Sequence, residues 1–416
     1  MAVSRLGIRT QLGLALVAAL ALRVGFGTLY WTGKPLTHDE KEYLALAASL
    51  SAGHGFSYVE PAAGTTAQFG RAPGYPTFLA LIGAGSTSAT AVPTRVKLVQ
   101  AALGTLTVWL VASTAGRAGP RAAVVAAWLA AIYPPLVWIP SYVLSETLYS
   151  VLAIGATVVL QRTVDNRESP ASKTFVSLTA GVLCGVSILV RPAMLLFLPL
   201  AALWLVAGGA KRQVLLFLVA TIVVVTPWTV RNVLKYDRFV LVASEGGVTF
   251  WTGNHPLSSG EGDLAANPEL KRAELEFRRS HPGLTSEELE PLYYRDALRQ
   301  IAAHPIWWAG LLARKVFFTV VPAGPSYALH STRYRWASIL SYLLLLPFGI
   351  AGLVVLWRRP ERPSGLLLLA ASSVLVCVIF FPQERFRIPV IDPVLIVCAA
   401  ALVRDRKKNA NSDLSR

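Results

Sequence analysis

Apolar runs long enough to cross a bilayer recur from one end of this chain to the other, and they constrain its fold more than any other feature. The first covers residues 11–31, and a helix of that length spans about 32 Å. Because a bilayer interior offers no water to satisfy peptide groups, such runs must form helices. Only 15% of the 416 residues are charged, against roughly 25% in soluble domains. The chain is therefore predicted to be an all-α polytopic membrane protein.

About ten spans are expected, with an eleventh if residues 305–322 also cross the membrane. They cover residues 11–31, 92–115, 122–139, 146–161, 174–190, 194–207, 213–230, 336–357, 365–381 and 388–403. Segment 305–322 carries Arg314 and Lys315 at its centre, which favours an interfacial or re-entrant helix on the outer face. A signal peptide cleaved near residues 19–21 is the alternative for the first span, but its apolar run continues beyond that point.

The distribution of basic residues sets the orientation of these spans. They lie singly or in pairs between apolar runs, and the short segment 134–145 contains no Lys or Arg. By the positive-inside rule, both termini, including the tail 404–416, are cytoplasmic, and the long loops 32–91 and 231–335 lie outside. Without a basic patch, the net charge of +16 does not indicate a nucleic-acid partner. We interpret residues 1–416 as one transmembrane domain of the plasma (inner) membrane, in contact with membrane lipids.

Several classes of protein are disfavoured by motifs that the sequence does not contain. The three cysteines, Cys184, Cys377 and Cys398, lie inside apolar runs, and no CxxC pair occurs, which argues against a disulfide scaffold and a structural zinc site. There is no P-loop, no dinucleotide-binding glycine pattern and no HExxH motif. ATP-driven transport and hydride transfer therefore have no support in the sequence.

The first outer loop opens with a helix-start signal, Thr37-His38-Asp39-Glu40. Thr37 and Glu40 have the spacing of a capping box, and Gly53 marks the end of the following apolar-periodic run. The pattern predicts a short helix along the outer membrane surface. Glu40 is interpreted first as a capping residue. Asp39 is not needed for the cap, so its carboxylate is available for chemistry.

A second juxtamembrane helix is predicted after a rigid turn in the same loop. The turn has the sequence Gly70-Arg71-Ala72-Pro73-Gly74-Tyr75-Pro76 and is followed by the apolar run 77–83. Its prolines restrict the backbone, so the turn presents Arg71 in a defined position.

These features resemble the membrane glycosyltransferases with the GT-C fold, in particular the family 39 group, which includes protein O-mannosyltransferases and lipid A aminoarabinose transferases. The other matching motifs are Ser145-Glu146, Arg191-Pro192, Thr226 to Asn232, the Gly-Asn turn in Trp251 to Pro256, and Glu384 to Pro389. One position differs, because aminoarabinose transferases carry a glutamate where this chain has Gly70.

The resemblance implies a donor in which a sugar is linked to a polyprenyl phosphate. Its leaving group is stable as an anion, so the enzyme needs positive charge around the phosphate rather than a strong general acid. The arginines expected outside are Arg71, Arg191, Arg385 and Arg387, each of which can bind phosphate or merely contact lipid headgroups. Arg23, inside the first span, is interpreted as a snorkelling residue.

Asp39 is the predicted general base, and Glu146 is predicted to position the acceptor or to support Asp39. Partial burial near the bilayer surface is expected to raise the pKa of Asp39, which suits a base. A single displacement would invert the anomeric centre. The predicted substrate-positioning residues are Glu40, Tyr43, Tyr75, Asn254 and His255. No cofactor is indicated with certainty, and a divalent metal at Asn254 and His255 stays open.

Two other functions stay open at this point. A polysaccharide polymerase or ligase would use a polyprenyl diphosphate-linked glycan. A lipid or sugar transporter would need charged residues or broken helices near the midplane, whereas polar residues here gather at one face. The sequence does not identify the sugar, nor whether the acceptor is a lipid, a glycan or a protein.

Overall fold

The computed structural model describes residues 7–57, 70–164, 169–325, 331–359 and 362–403, apart from residue 263. The predicted tail 404–416 and part of the first outer loop lie outside these ranges. Within them the chain forms helices and loops, with one isolated β-bridge between Pro35 and Ala91. The all-α class predicted from the apolar runs is confirmed.

Within the described ranges, six helices are long and apolar enough to cross a membrane. They are α1 (Ile8–Gly25, extended by a π-helical turn, Phe26–Tyr30), α4 (Thr94–Ala115), α7 (Glu146–Gln161), α8 (Pro170–Val190), α10 (Lys211–Tyr236) and α15 (Thr332–Trp357). A bent pair, α5 (Pro120–Ile132) and α6 (Pro134–Trp138), makes a seventh if it counts as one span. Shorter apolar helices are α9 (Phe197–Ala207, preceded by a 3-10 turn), α16 (Ser364–Ile379) and α18 (Ile391–Ala400). Each expected span except the third coincides with one of these helices, and the number of crossings stays a prediction.

The third expected span, residues 122–139, is not one straight helix, which corrects the prediction. α5 and α6 meet at an angle of 65°. Pro134 and Pro135 have no N–H groups, so the carbonyls of Ala130 and Ala131, four residues earlier, lack their helical partners. The chain bends at the point where its hydrogen-bond ladder stops.

Arg23 supplies the missing donors. Its Nη2 donates to the carbonyl oxygen of Ala130 at 3.1 Å, and its Nη1 donates to that of Ala131 at 3.2 Å. Nη1 also bonds to the carbonyl of Ala19 in α1. Only 1% of Arg23 is exposed, so its interpretation as a snorkelling residue was wrong. The arginine joins the first span to the broken third span.

The two long loops that are predicted to lie outside contribute most of the remaining helices. The first loop contains α2 (His38–Ser51) and α3 (Gly74–Leu81), so both predicted helices are present, and their position at the membrane surface stays a prediction. α2 begins with the predicted capping box, in which Glu40 accepts from the backbone N–H of Thr37 at 2.8 Å. The second loop contains α11 (Gly246–Asn254), α12 (Pro268–Arg279), α13 (Ser286–Ala303) and α14 (Pro305–Val320). A four-residue helix, α17 (Glu384–Arg387), precedes α18.

The second outer loop has a small core of its own. Its buried members are Val248, Trp251, Leu270, Leu289, Tyr293 and Ala297. The indole Nε1 of Trp251 donates to Asp296 at 2.7 Å, which joins α11 to α13. This core fixes the N-terminal end of α11, which adjoins the site described below.

α14 turns Lys315, one of its two central charges, into the protein, whereas its neighbour Arg314 is exposed. Lys315 is completely buried, and its Nζ donates to Oδ1 of Asn254 at 2.9 Å. Trp308, two turns earlier, donates to the same oxygen at 3.0 Å. The side facing away includes Ile306, which is 88% exposed, and Phe317. α14 is not among the helices long and apolar enough to cross, and an interfacial position stays our prediction.

Candidate active site

Asp39 lies in the first turn of α2 and binds two arginines from distant segments. Its Oδ1 accepts from Nη2 of Arg71 at 2.8 Å, and its Oδ2 accepts from Nη1 of Arg385 at 2.6 Å. The capping box immediately around it fixes the start of α2, and therefore the direction of the Asp39 side chain. The structure thus joins the predicted base to two of the predicted phosphate-binding residues.

The electrostatics of this contact differ from the expectation. Burial alone would raise the pKa of Asp39, but the charges of Arg385 and Arg71 outweigh it and hold that pKa well below its ordinary value. The prediction of a raised pKa for Asp39 is therefore wrong while the carboxylate is paired with Arg71 and Arg385. Asp39 is an ionised carboxylate whose basicity is suppressed by its two partners.

Arg71 is held by three carboxylates. Besides Asp39, its Nε donates to Oε2 of Glu42 at 2.7 Å, and its Nη1 donates to Oε2 of Glu245 at 2.9 Å. Its guanidinium carbon also lies 5.4 Å from the centre of the Tyr43 ring. The rigid turn before α3 thus presents Arg71 to α2 and to the second outer loop at once.

Arg385 and Arg387 point in different directions although both belong to α17. Arg385 is 38% exposed at its side chain and reaches Asp39. Arg387 is buried, pairs with Asp392 at 2.7 Å and lies 3.6 Å from the centre of the Tyr342 ring. Arg387, predicted to bind phosphate, is thus engaged inside the helical bundle, and we expect a structural role for it.

Glu146 and Arg191, predicted separately, form one ion pair. Nη1 of Arg191 lies 2.9 Å from Oε1 of Glu146 in the first turn of α7. The guanidinium carbon of Arg191 lies 4.8 Å from the ring centre of Phe386, the neighbour of Arg385. The pair therefore packs next to the Asp39 site rather than standing alone.

Tyr43 and Tyr75 form the aromatic wall behind Arg71. Their rings meet edge to face with centroids 4.9 Å apart. Tyr75 is completely buried, and its hydroxyl contacts Oε1 of Gln100 at 3.2 Å. Tyr43 adjoins the site directly, whereas Tyr75 supports it from within the core.

Glu40 uses its carboxylate within the protein. One oxygen accepts from the backbone N–H and the hydroxyl of Thr37, and the other accepts from the backbone N–H of Val143 at 2.9 Å. With 1% exposure, Glu40 holds α2 against the segment before α7. Its position supports the capping interpretation more than contact with a substrate.

Asn254 and His255 lie at the end of α11. The amide of Asn254 is completely buried and bonds to Lys315, Trp308 and the carbonyls of Phe250 and Ile379. The His255 ring lies 4.2 Å from that of Trp251. Among the described residues, no group of three or more His, Cys, Asp or Glu side chains has an arrangement that could hold a metal ion.

The sequence reasoning missed Glu245 as a residue of this site. It lies in a long loop with many acids, and the contact that marks it joins residues 174 positions apart. Burial raises the pKa of Glu245, an effect that the charge of Arg71 opposes.

Comparisons with known proteins show which solved structures share this fold. No family model and no curated protein matches the chain. Two solved structures of the oligosaccharyltransferase from Archaeoglobus fulgidus match at 16% identity, with TM-scores of 0.57 (tethered to an acceptor peptide) and 0.54 (with an inhibitory peptide and a dolichol-phosphate). Each match covers 95% of this chain and 49% or 50% of the other. The chain thus spans about half the length of these neighbours.

A third match is ArnT from Cupriavidus metallidurans bound to undecaprenyl phosphate. It has 15% identity and a TM-score of 0.43, and it covers 95% of this chain and 77% of the other.

The fold and the apolar helices define a multi-pass membrane protein. Its fold is the GT-C fold of membrane glycosyltransferases, which confirms the resemblance drawn from the motifs at the level of fold. The narrower assignment to family 39 stays a prediction.

Proposed function

We propose that this protein is a membrane glycosyltransferase that transfers a sugar from a polyprenyl-phosphate donor to an acceptor at the outer face of the plasma (inner) membrane. The observation that carries the proposal is the clamp on Asp39, in which one carboxylate binds Arg71 and Arg385 at 2.8 and 2.6 Å. This contact brings the proposed base and the two proposed phosphate-binding groups within one hydrogen bond of each other. The GT-C fold supports the reaction class.

The clamp explains how Asp39 can act as a base although its pKa is lowered. When the donor phosphate binds Arg71 and Arg385, it shares their positive charge, and the pKa of Asp39 moves back towards its ordinary value. Asp39 then accepts the proton of the acceptor hydroxyl or amine as that group attacks the anomeric carbon. The bond between this carbon and the phosphate oxygen breaks, and its electron pair stays on the phosphate. Attack opposite the leaving group inverts the anomeric centre.

The Glu146–Arg191 pair has a supporting role in this proposal. It lies beside Phe386 and so next to Arg385, which it helps to orient. Arg191 also adds positive charge near the position proposed for the donor phosphate. Glu146 keeps that arginine in place. Its predicted roles, to position the acceptor or to support Asp39, stay predictions.

The proposal fits the ligands of the structural neighbours. The oligosaccharyltransferase structure contains a dolichol-phosphate, and ArnT was solved with undecaprenyl phosphate. Both are polyprenyl phosphates of the kind proposed for this chain. The acceptor, whether lipid, glycan or protein, is left to experiment.

A donor panel tests the proposal. Purified protein in lipid nanodiscs is given polyprenyl-phosphate monosaccharides and, separately, a polyprenyl diphosphate-linked oligosaccharide, each together with lipid, glycan and peptide acceptors that can receive the sugar. Asp39→Asn is the matched variant. We expect Asp39-dependent release of polyprenyl phosphate from one of the monosaccharide donors. Release from the oligosaccharide donor alone would favour the polymerase or ligase function. No release from any donor, with protein that is folded and binds none of them, would contradict both.

A further inference from the structure

The three carboxylates around Arg71 do not hold it in the same way. Asp39 and Glu42 come from one helix, α2, and bind the Nη2 and Nε side of the guanidinium. Glu245 comes from the second outer loop and binds Nη1. Because α2 alone fixes the plane of the guanidinium, the contact with Glu245 is not needed to orient Arg71.

Exposure separates these carboxylates further. The Glu42 side chain is 6% exposed, that of Asp39 is 22% exposed, and that of Glu245 is 31% exposed. Breaking a more exposed ion pair costs less free energy, since water solvates the separated charges. The Nη1 side of Arg71 is therefore the side that an incoming anion can reach most easily.

The backbone beside Glu245 is anchored to the Arg71 turn. The N–H of Gly70 donates to Oγ of Ser244 at 2.8 Å, and the N–H of Ser244 donates to the carbonyl of Gly70 at 2.9 Å. A Cβ atom at residue 70 would lie 2.8 Å from that Oγ, so a side chain there would disturb the pairing. Only the side chain of Glu245 can move away from Arg71 without breaking this anchor.

We propose that the Glu245 carboxylate occupies the position of the donor phosphate on Nη1 of Arg71, and that the donor displaces it on binding. A carboxylate and a phosphate present the same kind of oxygen acceptor to a guanidinium, and arginine binds both in the same geometry. Glu245 thus competes with the ligand for Arg71. This inference rests on the proposed function, because it assumes a lipid-linked phosphate as the ligand.

The binding of undecaprenyl phosphate to the full-length protein in nanodiscs tests the displacement. Removing the competing charge in Glu245→Gln should tighten binding by about fivefold, the effect of one partly exposed ion pair. Glu42→Gln should weaken binding, because it removes a buried partner that orients Arg71. Glu288→Gln is the matched control, since Glu288 pairs with Arg238 at 3.2 Å in the same loop. It should leave binding unchanged.

The outcomes separate this inference from the proposed function. If folded Glu245→Gln binds undecaprenyl phosphate equally well or more weakly, Glu245 is no competitor and the inference is overturned. If wild type binds it no better than Arg71→Ala does, the proposed donor site itself fails. Inorganic phosphate is the second probe. Binding of inorganic phosphate as tight as that of the lipid would overturn the assignment to a lipid-linked ligand.

Discussion

Asp39 and Arg385 lie 346 positions apart in the sequence, yet the Asp39 carboxylate accepts a hydrogen bond from Nη1 of Arg385 at 2.6 Å. Arg71 binds the other oxygen of the same carboxylate at 2.8 Å. The start of α2, the turn before α3 and the short helix α17 therefore meet at one point. A ligand that binds there acts on all three segments at once.

Asp39→Asn should reduce turnover by about 10²–10⁴-fold, the usual contribution of a general base. Asparagine keeps the shape of the side chain but cannot accept the proton, and both arginines stay available to the donor phosphate. The fall should therefore be in kcat, while donor binding is kept. Near-normal turnover in this variant, at matched expression and thermal stability, would remove Asp39 from the mechanism.

Glu40→Gln should affect stability more than activity. Both oxygens of Glu40 accept hydrogen bonds, whereas a glutamine has one acceptor oxygen, so either the Thr37 or the Val143 bond is lost. We expect a destabilisation of about 1–3 kcal/mol, seen as a lower midpoint of thermal unfolding. Turnover per folded molecule should stay close to that of wild type. Loss of turnover at full stability would mean that Glu40 rather than Asp39 is the base.

Arg71→Lys should raise the KM for the donor about ten- to hundredfold. Lysine keeps one positive charge but cannot bind the Asp39, Glu42 and Glu245 carboxylates and a phosphate with a planar, fork-like group. Arg362→Lys, at an exposed residue on the predicted cytoplasmic side, is the control and should leave the KM unchanged. Equal effects of the two variants on donor kinetics would show that the guanidinium of Arg71 has no special role in donor binding.

Arg387→Met should destabilise the protein by about 3–5 kcal/mol, because it leaves Asp392 as a buried charge without its partner. The double variant Arg387→Met/Asp392→Leu removes both charges and should recover most of that stability. Thermal unfolding of the two variants in detergent measures the difference. If the double variant is stable but has lost donor binding, Arg387 belongs to the phosphate site after all.

Cysteine labelling can test the orientation of the chain in the membrane. Lys271→Cys, exposed on α12, should react with a membrane-impermeant thiol reagent in intact cells, whereas Arg212→Cys, exposed at the start of α10, should react only after lysis. The native cysteines are buried and should give little background. The reverse pattern would invert the predicted topology and move the site to the cytoplasmic side.

The local parts of the site were predictable because their signals are local. The capping box of Thr37 and Glu40 sets the start of α2, and a proline-rich turn presents Arg71. A periodic pattern and a turn each depend on a few neighbouring residues, so the sequence alone is enough to place them.

Contacts between distant segments were not predictable in the same way. Arg385 and Arg387 are two residues apart and chemically identical, and only the packing of α17 sends one to Asp39 and the other to Asp392. Glu245 is one acid among many in its loop. The lowered pKa of Asp39 follows from two partners that no local pattern specifies.

Arg23 is synthesised long before the carbonyls that accept its hydrogen bonds, which lie 107 and 108 residues further along the chain. An arginine at the centre of an inserting helix costs about 2.5–3.5 kcal/mol, which the other residues of this strongly apolar span must offset. The nascent first span therefore enters the bilayer with a charge that only its own helix can contact. Its arginine gains the carbonyls of Ala130 and Ala131 only once the proline-broken third span has been made, so the order of synthesis delays this contact between the two spans.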